Sequence, residues 1–326
     1  METILKVENL TVAFQINGAE YIAINNISFN LMEGEILAIA GESSSGKTLT
    51  ALSILNLIEY PGYIKTGNII YKEQNLLLLP KTTLENIRGK EISMIFQEPS
   101  TAFDNFFTIR YHFYEILQHH LKLDKQNAKT TALNWLNKLN FSNPEIILNS
   151  YPFQLSGGMQ QRLMIALALC LNPTILIADE PTSSLDVITQ NTILKMILSL
   201  KNELNISILL ISHDFGVIMQ FATNVAIMYK GRILEYATKY ELFNFPLHPY
   251  TKYLLSNITD FKTNMLPNKL QHYNHCSLEY AAQGCPFYPH CNYKKNICST
   301  QFPQPYSHST SHNVYCWLFK GSGLGI

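Results

Sequence analysis

Gly41-Glu42-Ser43-Ser44-Ser45-Gly46-Lys47-Thr48 decides how this chain folds. The stretch fits the pattern G-x-x-x-x-G-K-[S/T] in full, and its flanks are of the right kind. Glu35-Ile36-Leu37-Ala38-Ile39-Ala40 is a short apolar run that reads as a buried strand, and Leu49 to Ile58 carries helical apolar spacing. Strand, glycine-bearing loop and helix make successive backbone N–H groups and a helix N-terminus converge on one anion. Gly41 and Gly46 let the backbone approach phosphate oxygens with no Cβ in the way. On this pattern the loop residues Ser43, Ser44 and Ser45 line a nucleotide's phosphates. Lys47 reaches the β- and γ-phosphates, and the Thr48 hydroxyl sits on Mg²⁺.

Further along, Thr174-Ile175-Leu176-Ile177-Ala178-Asp179-Glu180-Pro181 is an apolar run ending in two adjacent acids. A strand buried on both faces reads as continuous apolar residues, and an open α/β sheet places its ligands at the strands' carboxyl ends. Two acids side by side at such a place are unfavourable unless a cation compensates them. Leu155-Ser156-Gly157-Gly158-Met159-Gln160-Gln161-Arg162 is a capped helix start. Ser156 is a good N-cap, Gly157 and Gly158 leave the following amides open to an anion, and Met159 to Leu171 continues as an apolar helix. The Ser156 hydroxyl and the helix dipole therefore point outward, at something negative that the motif itself does not supply.

Cradle and glycine-bearing helix start, in this order, make the chain similar to the ATP-binding-cassette (ABC) ATPases over roughly its first 250 residues. The resemblance implies a P-loop NTPase α/β fold: a mixed sheet with an antiparallel β region and an inserted α-helical subdomain. It implies that Asp179 holds the magnesium shell and that Glu180 polarises the attacking water. Gln97, which ends the run Ile92-Ser93-Met94-Ile95-Phe96, matches the glutamine that contacts Mg²⁺ and water. His213, after Ile206 to Ser212, matches the switch histidine on the γ-phosphate. Ser183-Ser184-Leu185-Asp186 falls at the spacing of the loop that crosses the dimer interface. Ser156, Gly157 and Gly158 then face the γ-phosphate held by the opposite subunit's cradle. Phe14 either stacks on adenine, as the family's aromatic at this position does, or is an ordinary strand aromatic.

The rest of the chain is read around this frame. Ile4 to about Ile70 alternates strand-like runs with turns such as Asn17-Gly18, a small antiparallel region around the cradle strand. From Phe107 to about Leu148 the pattern is helical and polar, and the inserted subdomain is set at about 98–165. Lys230-Gly231 reads as a hairpin turn. The nucleotide-binding domain is placed at 1–250 and a C-terminal extension at 251–326.

That extension resembles the tail of the oligopeptide and dipeptide importers' ATPases. Phe245-Pro246-Leu247-His248-Pro249-Tyr250-Thr251 precedes it, and five of the six cysteines lie beyond about Asp260. Cys285, Cys291, Cys298 and Cys316 match the importer pattern. A [4Fe–4S] cluster, a Zn²⁺ ion and unmetallated thiols are the competing readings, with disulfides disfavoured in a reducing compartment. Cys276 and the histidines His272, His275, His290, His308 and His312 leave the ligands open, and Cys170 reads as a small core residue. Far in sequence from the cradle, the tail is expected to affect stability or partner docking before ATP chemistry.

Three departures from the importer pattern stand out. Ser100 to Phe107 replaces a leucine-asparagine-proline segment, Phe153-Gln154 stands where His and Glu are common, and His290 replaces an arginine.

With 24 basic and 24 acidic residues the net charge is zero, so no broad basic field argues for nucleic acid. The chain opens without the basic and apolar regions of a signal peptide, and its longest apolar stretch is far short of the roughly 20 residues that span a bilayer. The expectation is a peripheral protein on the cytoplasmic face of the membrane. Its implied partners are a second ABC ATPase subunit, identical or related, transmembrane permease subunits and, indirectly, a solute-binding protein outside the cell. Di- or oligopeptides are the expected cargo. A nickel or other small-solute importer and a soluble, non-transport ABC ATPase are the alternatives.

Overall fold

The computed structural model describes residues 2–183, 185–263 and 283–321. Ser184, His272, His275 and Cys276 lie outside the described residues. The chain forms two compact units, neither continuous in sequence. One holds Glu2, Met32–Glu35 and Leu78–Ile211; the other holds Thr3–Leu31, Ile36–Leu77 and the described residues from Ser212 onward.

The first unit is built on parallel strands. Ile92–Ile95 pairs with Ile175–Asp179, and Ile175–Asp179 pairs with Ser207–Ser212, in a register that sets Ile95 beside Ala178 and Asp179 beside Ile211. Every residue of these strands is buried, which explains why they read as unbroken apolar runs rather than as alternation. Parallel neighbours need long crossovers. The first crossover carries the helices Ile109–Leu121, Lys125–Lys138, Pro144–Asn149 and Gly157–Leu169. Their own core is Phe113, Leu117, Ala132, Trp135, Leu136 and Leu148. The second crossover is the helix Val187–Leu204.

The second unit contains an antiparallel sheet in the order Ala19–Met32, Thr3–Ile16, Gly62–Tyr71, Gln74–Asn75. Asn17 and Gly18 both take positive φ at its first turn, as a tight hairpin demands. The cradle strand Ile36–Ala40 is not part of that sheet, contrary to the expectation from sequence. It runs parallel to Asn224–Tyr229, with Ala40 beside Ile227. All five of its residues are buried, so it needs cover on both faces, which the rim of an antiparallel sheet does not give. Asn224–Tyr229 turns through Lys230-Gly231 into Arg232–Thr238. The tail then adds Asn313–Val314 to the edge of Arg232–Thr238, and Tyr306–Ser307 beyond it. In packing, the cysteine-bearing tail is thus continuous with the strands that flank the cradle.

Observed helices begin and end slightly off their expected limits. The cradle helix is Lys47–Ile54, and the helix after Ser156 starts at Gly157 rather than at Met159. The helix Pro249–Thr263 begins with a proline in its first turn, where the missing N–H costs nothing.

Candidate active site

The cradle is held by close backbone contacts within its own unit. A Cβ on Gly41 would lie 2.0 Å from the Met228 carbonyl oxygen, so only glycine fits. Gly46 takes φ +104° to turn the loop into the helix and has no side chain to occupy the helix's first amides. Gly231 N–H donates to Ser45 O at 2.8 Å and fixes the loop from outside. Lys47 is buried, and its Nζ donates to Gly41 O at 2.9 Å, to Glu42 O at 2.7 Å and, more loosely, to Ser45 Oγ at 3.5 Å. Carbonyl oxygens thus compensate a charge that burial would otherwise make costly. Ser43, Ser44 and Thr48 are exposed, whereas Ser45 is buried. Ser44 adopts φ +63°, an uncommon choice for a residue with a side chain.

His213 lies in the same unit and is exposed. Its neighbour Asp214 caps the helix Phe215–Phe221 by accepting from the Gly216 and Val217 amides. Phe14 is half-buried and faces Gly62 across the antiparallel sheet. A Cβ on Gly62 would lie 2.8 Å from the Phe14 ring. The ring therefore packs on its own sheet at Gly62.

In the first unit the acids end the strand as expected. Asp179 is buried, and Glu180 is half-buried just beyond it. Gln97 and Glu180, far apart in sequence, meet: Gln97 Nε2 donates to Glu180 Oε2 at 3.2 Å. Glu180 also adopts φ +45°, a left-handed backbone that a residue with a long side chain rarely takes. Its N–H donates to Ile211 O at 2.9 Å and anchors the strained residue to the neighbouring strand. No sequence signal marked that strain.

Ser156 caps the helix Gly157–Leu169, its Oγ accepting from Met159 N–H at 3.4 Å. Ser156 and Gly157 are exposed. A Cβ on Gly157 would meet nothing within 4 Å, and one on Gly158 would touch only Thr189 Cγ2 at 3.4 Å. Neither glycine is demanded by its own chain's packing. Gln161 was legible only as part of the motif, and it has a structural task. It is buried, and its Nε2 donates to Pro181 O at 2.6 Å, tying the capped helix to the turn after Glu180. Asp186 is an N-cap: its Oδ1 accepts from the Ile188 and Thr189 amides, and its Oδ2 from Thr189 Oγ1 at 2.7 Å. These bonds, the Thr189 amide first, hold its carboxyl below the usual range.

The four tail cysteines line one small pocket, together with His248, Tyr293 and Trp317. Burial pushes the Cys285 thiol up to about 12 and the Cys316 thiol up to about 11, and the neighbouring thiols push both the same way. Among the described residues no three His, Cys, Asp or Glu side chains gather tightly enough for a single ion. In the first unit Cys170 is the C-cap of the Gly157–Leu169 helix and is buried, as a core residue. His290 stands against Phe287, with ring centroids 6.2 Å apart. His312 instead binds Glu235, Nε2 to Oε1 at 2.7 Å, both residues fully buried. Glu235 was missed from sequence. It also accepts from Leu247 N–H and His248 N–H, each at 2.8 Å, and so clamps the start of the tail.

Comparisons with known proteins give the family and the fold. A family model described as ABC transporter matches residues 24–183, and one described as Oligopeptide/dipeptide transporter, C-terminal region, matches residues 234–298. The dipeptide transport ATP-binding protein DppD of Bacillus subtilis is 39% identical over 98% of this chain and 95% of its own length. The oligopeptide transport ATP-binding protein AppD of the same organism is 38% identical over 99% of each. Among solved structures, a dimeric post-hydrolysis state of the ATP-binding cassette MJ0796 bound to ADP and Pi superposes with TM-score 0.64 at 26% identity, over 72% of this chain and 98% of that one. The cbiO1 protein from Clostridium perfringens shares the fold, with TM-score 0.63 at 22% identity over 81% and 97%.

Proposed function

The chain belongs to the ABC transporter ATP-binding proteins that carry the oligopeptide/dipeptide transporter C-terminal region, and from that membership we propose that it is the ATP-hydrolysing subunit of an importer for di- or oligopeptides. Its place is the cytoplasmic face of the membrane, against permease subunits. Among the described residues no helix is long and apolar enough to cross a bilayer. Residues 1–250 form the cassette in this reading, and 251–326 the importer extension.

The pairing of Gln97 with a strained Glu180 carries the proposal. A glutamine amide that donates to the carboxylate fixes its direction for the water it would polarise. Lys47 and the loop Gly41–Thr48 hold the β- and γ-phosphates of ATP, and His213 contacts the γ-phosphate. Thr48, Asp179 and Gln97 would hold Mg²⁺ through oxygen, a hard-cation set, and the ion would supply charge neutralisation at the phosphate oxygens. Ser156, Gly157 and Gly158 serve the nucleotide of a second cassette, in line with glycines that their own fold does not require. Asp186 belongs to the same interface. Closure of two cassettes on ATP then drives the permease, and hydrolysis resets it.

Glu180→Gln tests the assignment. It keeps the cradle and the Gln97 neighbour but removes the proton acceptor, so ATP turnover of the assembled complex should fall by about 10²-fold or more while ATP binding persists. Undiminished turnover would take the role from Glu180. Uptake of a labelled dipeptide and of Ni²⁺, compared in cells carrying Lys47→Ala, separates peptide from metal cargo. In the tail, Cys285, Cys291, Cys298 and Cys316 are assigned to a [4Fe–4S] cluster, with Zn²⁺ as the alternative. The shared pocket supports this.

A further inference from the structure

We propose that Tyr250 is a positioning residue for the phosphate cradle, and that through it the cysteine-bearing tail sets how firmly the chain holds nucleotide. The peptide group joining Gly41 to Glu42 is gripped at both edges. Its C=O accepts from Lys47 Nζ at 2.9 Å, and its N–H donates to the Tyr250 hydroxyl at 3.4 Å. A peptide group is planar, with C=O and N–H on opposite edges, so neither can turn without the other. Releasing the N–H lets the carbonyl swing, and with it the ammonium that the carbonyl aims.

Tyr250 is itself immobilised by the tail. It is fully buried, with its ring against Tyr229 at 4.3 Å and Phe287 at 5.4 Å between centroids. Phe287 sits between Cys285 and Cys291 in sequence and also packs on Tyr229. The backbone of Tyr250 is fixed in turn: its N–H donates to His248 Nδ1 at 3.0 Å, and His248 N–H donates to Glu235, which His312 also binds. Two separate stretches of the tail therefore bear on one hydroxyl, and that hydroxyl bears on the cradle. The tail's distance in sequence from the cradle gave the opposite expectation.

The proposal rests on Gly41–Thr48 being the nucleotide cradle, so the experiment tests both. MgATP binding is measured by calorimetry on the full chain. Tyr250→Phe removes only the hydroxyl and should raise Kd about fivefold, the equivalent of ~1 kcal/mol for one net hydrogen bond. Phe287→Leu should shift Kd the same way, and in the assembled complex Tyr250→Phe should raise KM while kcat holds. Thr251→Val, which removes a buried hydroxyl that makes no hydrogen bond in the same helix, should bind as the parent does. Parental affinity in Tyr250→Phe or Phe287→Leu overturns the proposal. So does equal weakening by Thr251→Val, which would mean that any disturbance of the helix suffices. Lys47→Ala should abolish binding. Retention there would overturn the cradle reading itself, whatever Tyr250 does.

Discussion

Replacing Glu235 by Gln changes one oxygen of a fully buried carboxylate into an NH₂ group, and every neighbour of that carboxylate is a donor. Oε1 accepts from Leu247 N–H and His312 Nε2, whereas Oε2 accepts from His248 N–H alone. The amide will therefore turn its NH₂ toward His248 N–H, where it loses one bond rather than two. That bond was charge-assisted, in the range of about 1.5–3 kcal/mol, and a buried N–H left unpaired adds ~1–3 kcal/mol. A loss of about 3 kcal/mol in the local clamp is the expected result, and ~1.4 kcal/mol corresponds to a tenfold change. Amide hydrogen exchange resolved over Leu247 and His248 reads this local term without requiring global two-state unfolding. Exchange there should accelerate by on the order of 100-fold, while amides of the Ile175–Asp179 strand keep their parental rates. Unchanged protection at Leu247 and His248 would refute the clamp.

Other outcomes follow from the same geometry. Ser156→Arg should abolish turnover that depends on assembly while the isolated chain binds ATP normally; lost binding in the isolated chain would mean that Ser156 serves its own fold. Glu241 is raised by burial but brought down further by hydrogen bonds from the Ser309, Thr238 and Ser311 hydroxyls, to about 2. A carboxyl depressed in the folded state stabilises above its ordinary value of 4.5 and loses that contribution as pH falls toward about 2. Exchange protection of residues 309–312 should therefore decline across that window, and Glu241→Gln should flatten the decline. Anaerobically purified protein made with ample iron should contain about four irons per chain; stoichiometric zinc would replace the cluster by a zinc site, and no metal would end both readings.

Much of the candidate nucleotide site was legible because its signals are local. The cradle is one uninterrupted stretch, with the glycines, lysine and threonine fixed by what a phosphate needs from neighbouring residues. Asp179 and Glu180 announce themselves by ending an apolar run, and Ser156 by standing where an N-cap stands. Asn17-Gly18 and Lys230-Gly231 read as turns because few residue pairs accept positive φ twice in succession.

What only the tertiary structure decided are the contacts between residues distant along the chain. Periodicity tells that Ile36–Ala40 is buried but not which strand lies beside it, since any apolar neighbour of matching length satisfies the same pattern. Gln97 meets Glu180, and Gln161 meets the Pro181 carbonyl, because parallel register and helix packing bring them within hydrogen-bond reach. Glu235 looks in sequence like a charge misplaced in an apolar strand, and its donors come from Leu247, His248 and His312. Tyr250 gives no hint in sequence of the Glu42 amide. A buried polar group's partners are chosen by packing, because the cost of leaving it unpaired is met by whichever group the fold brings near, and that nearness is not written in any local run of residues.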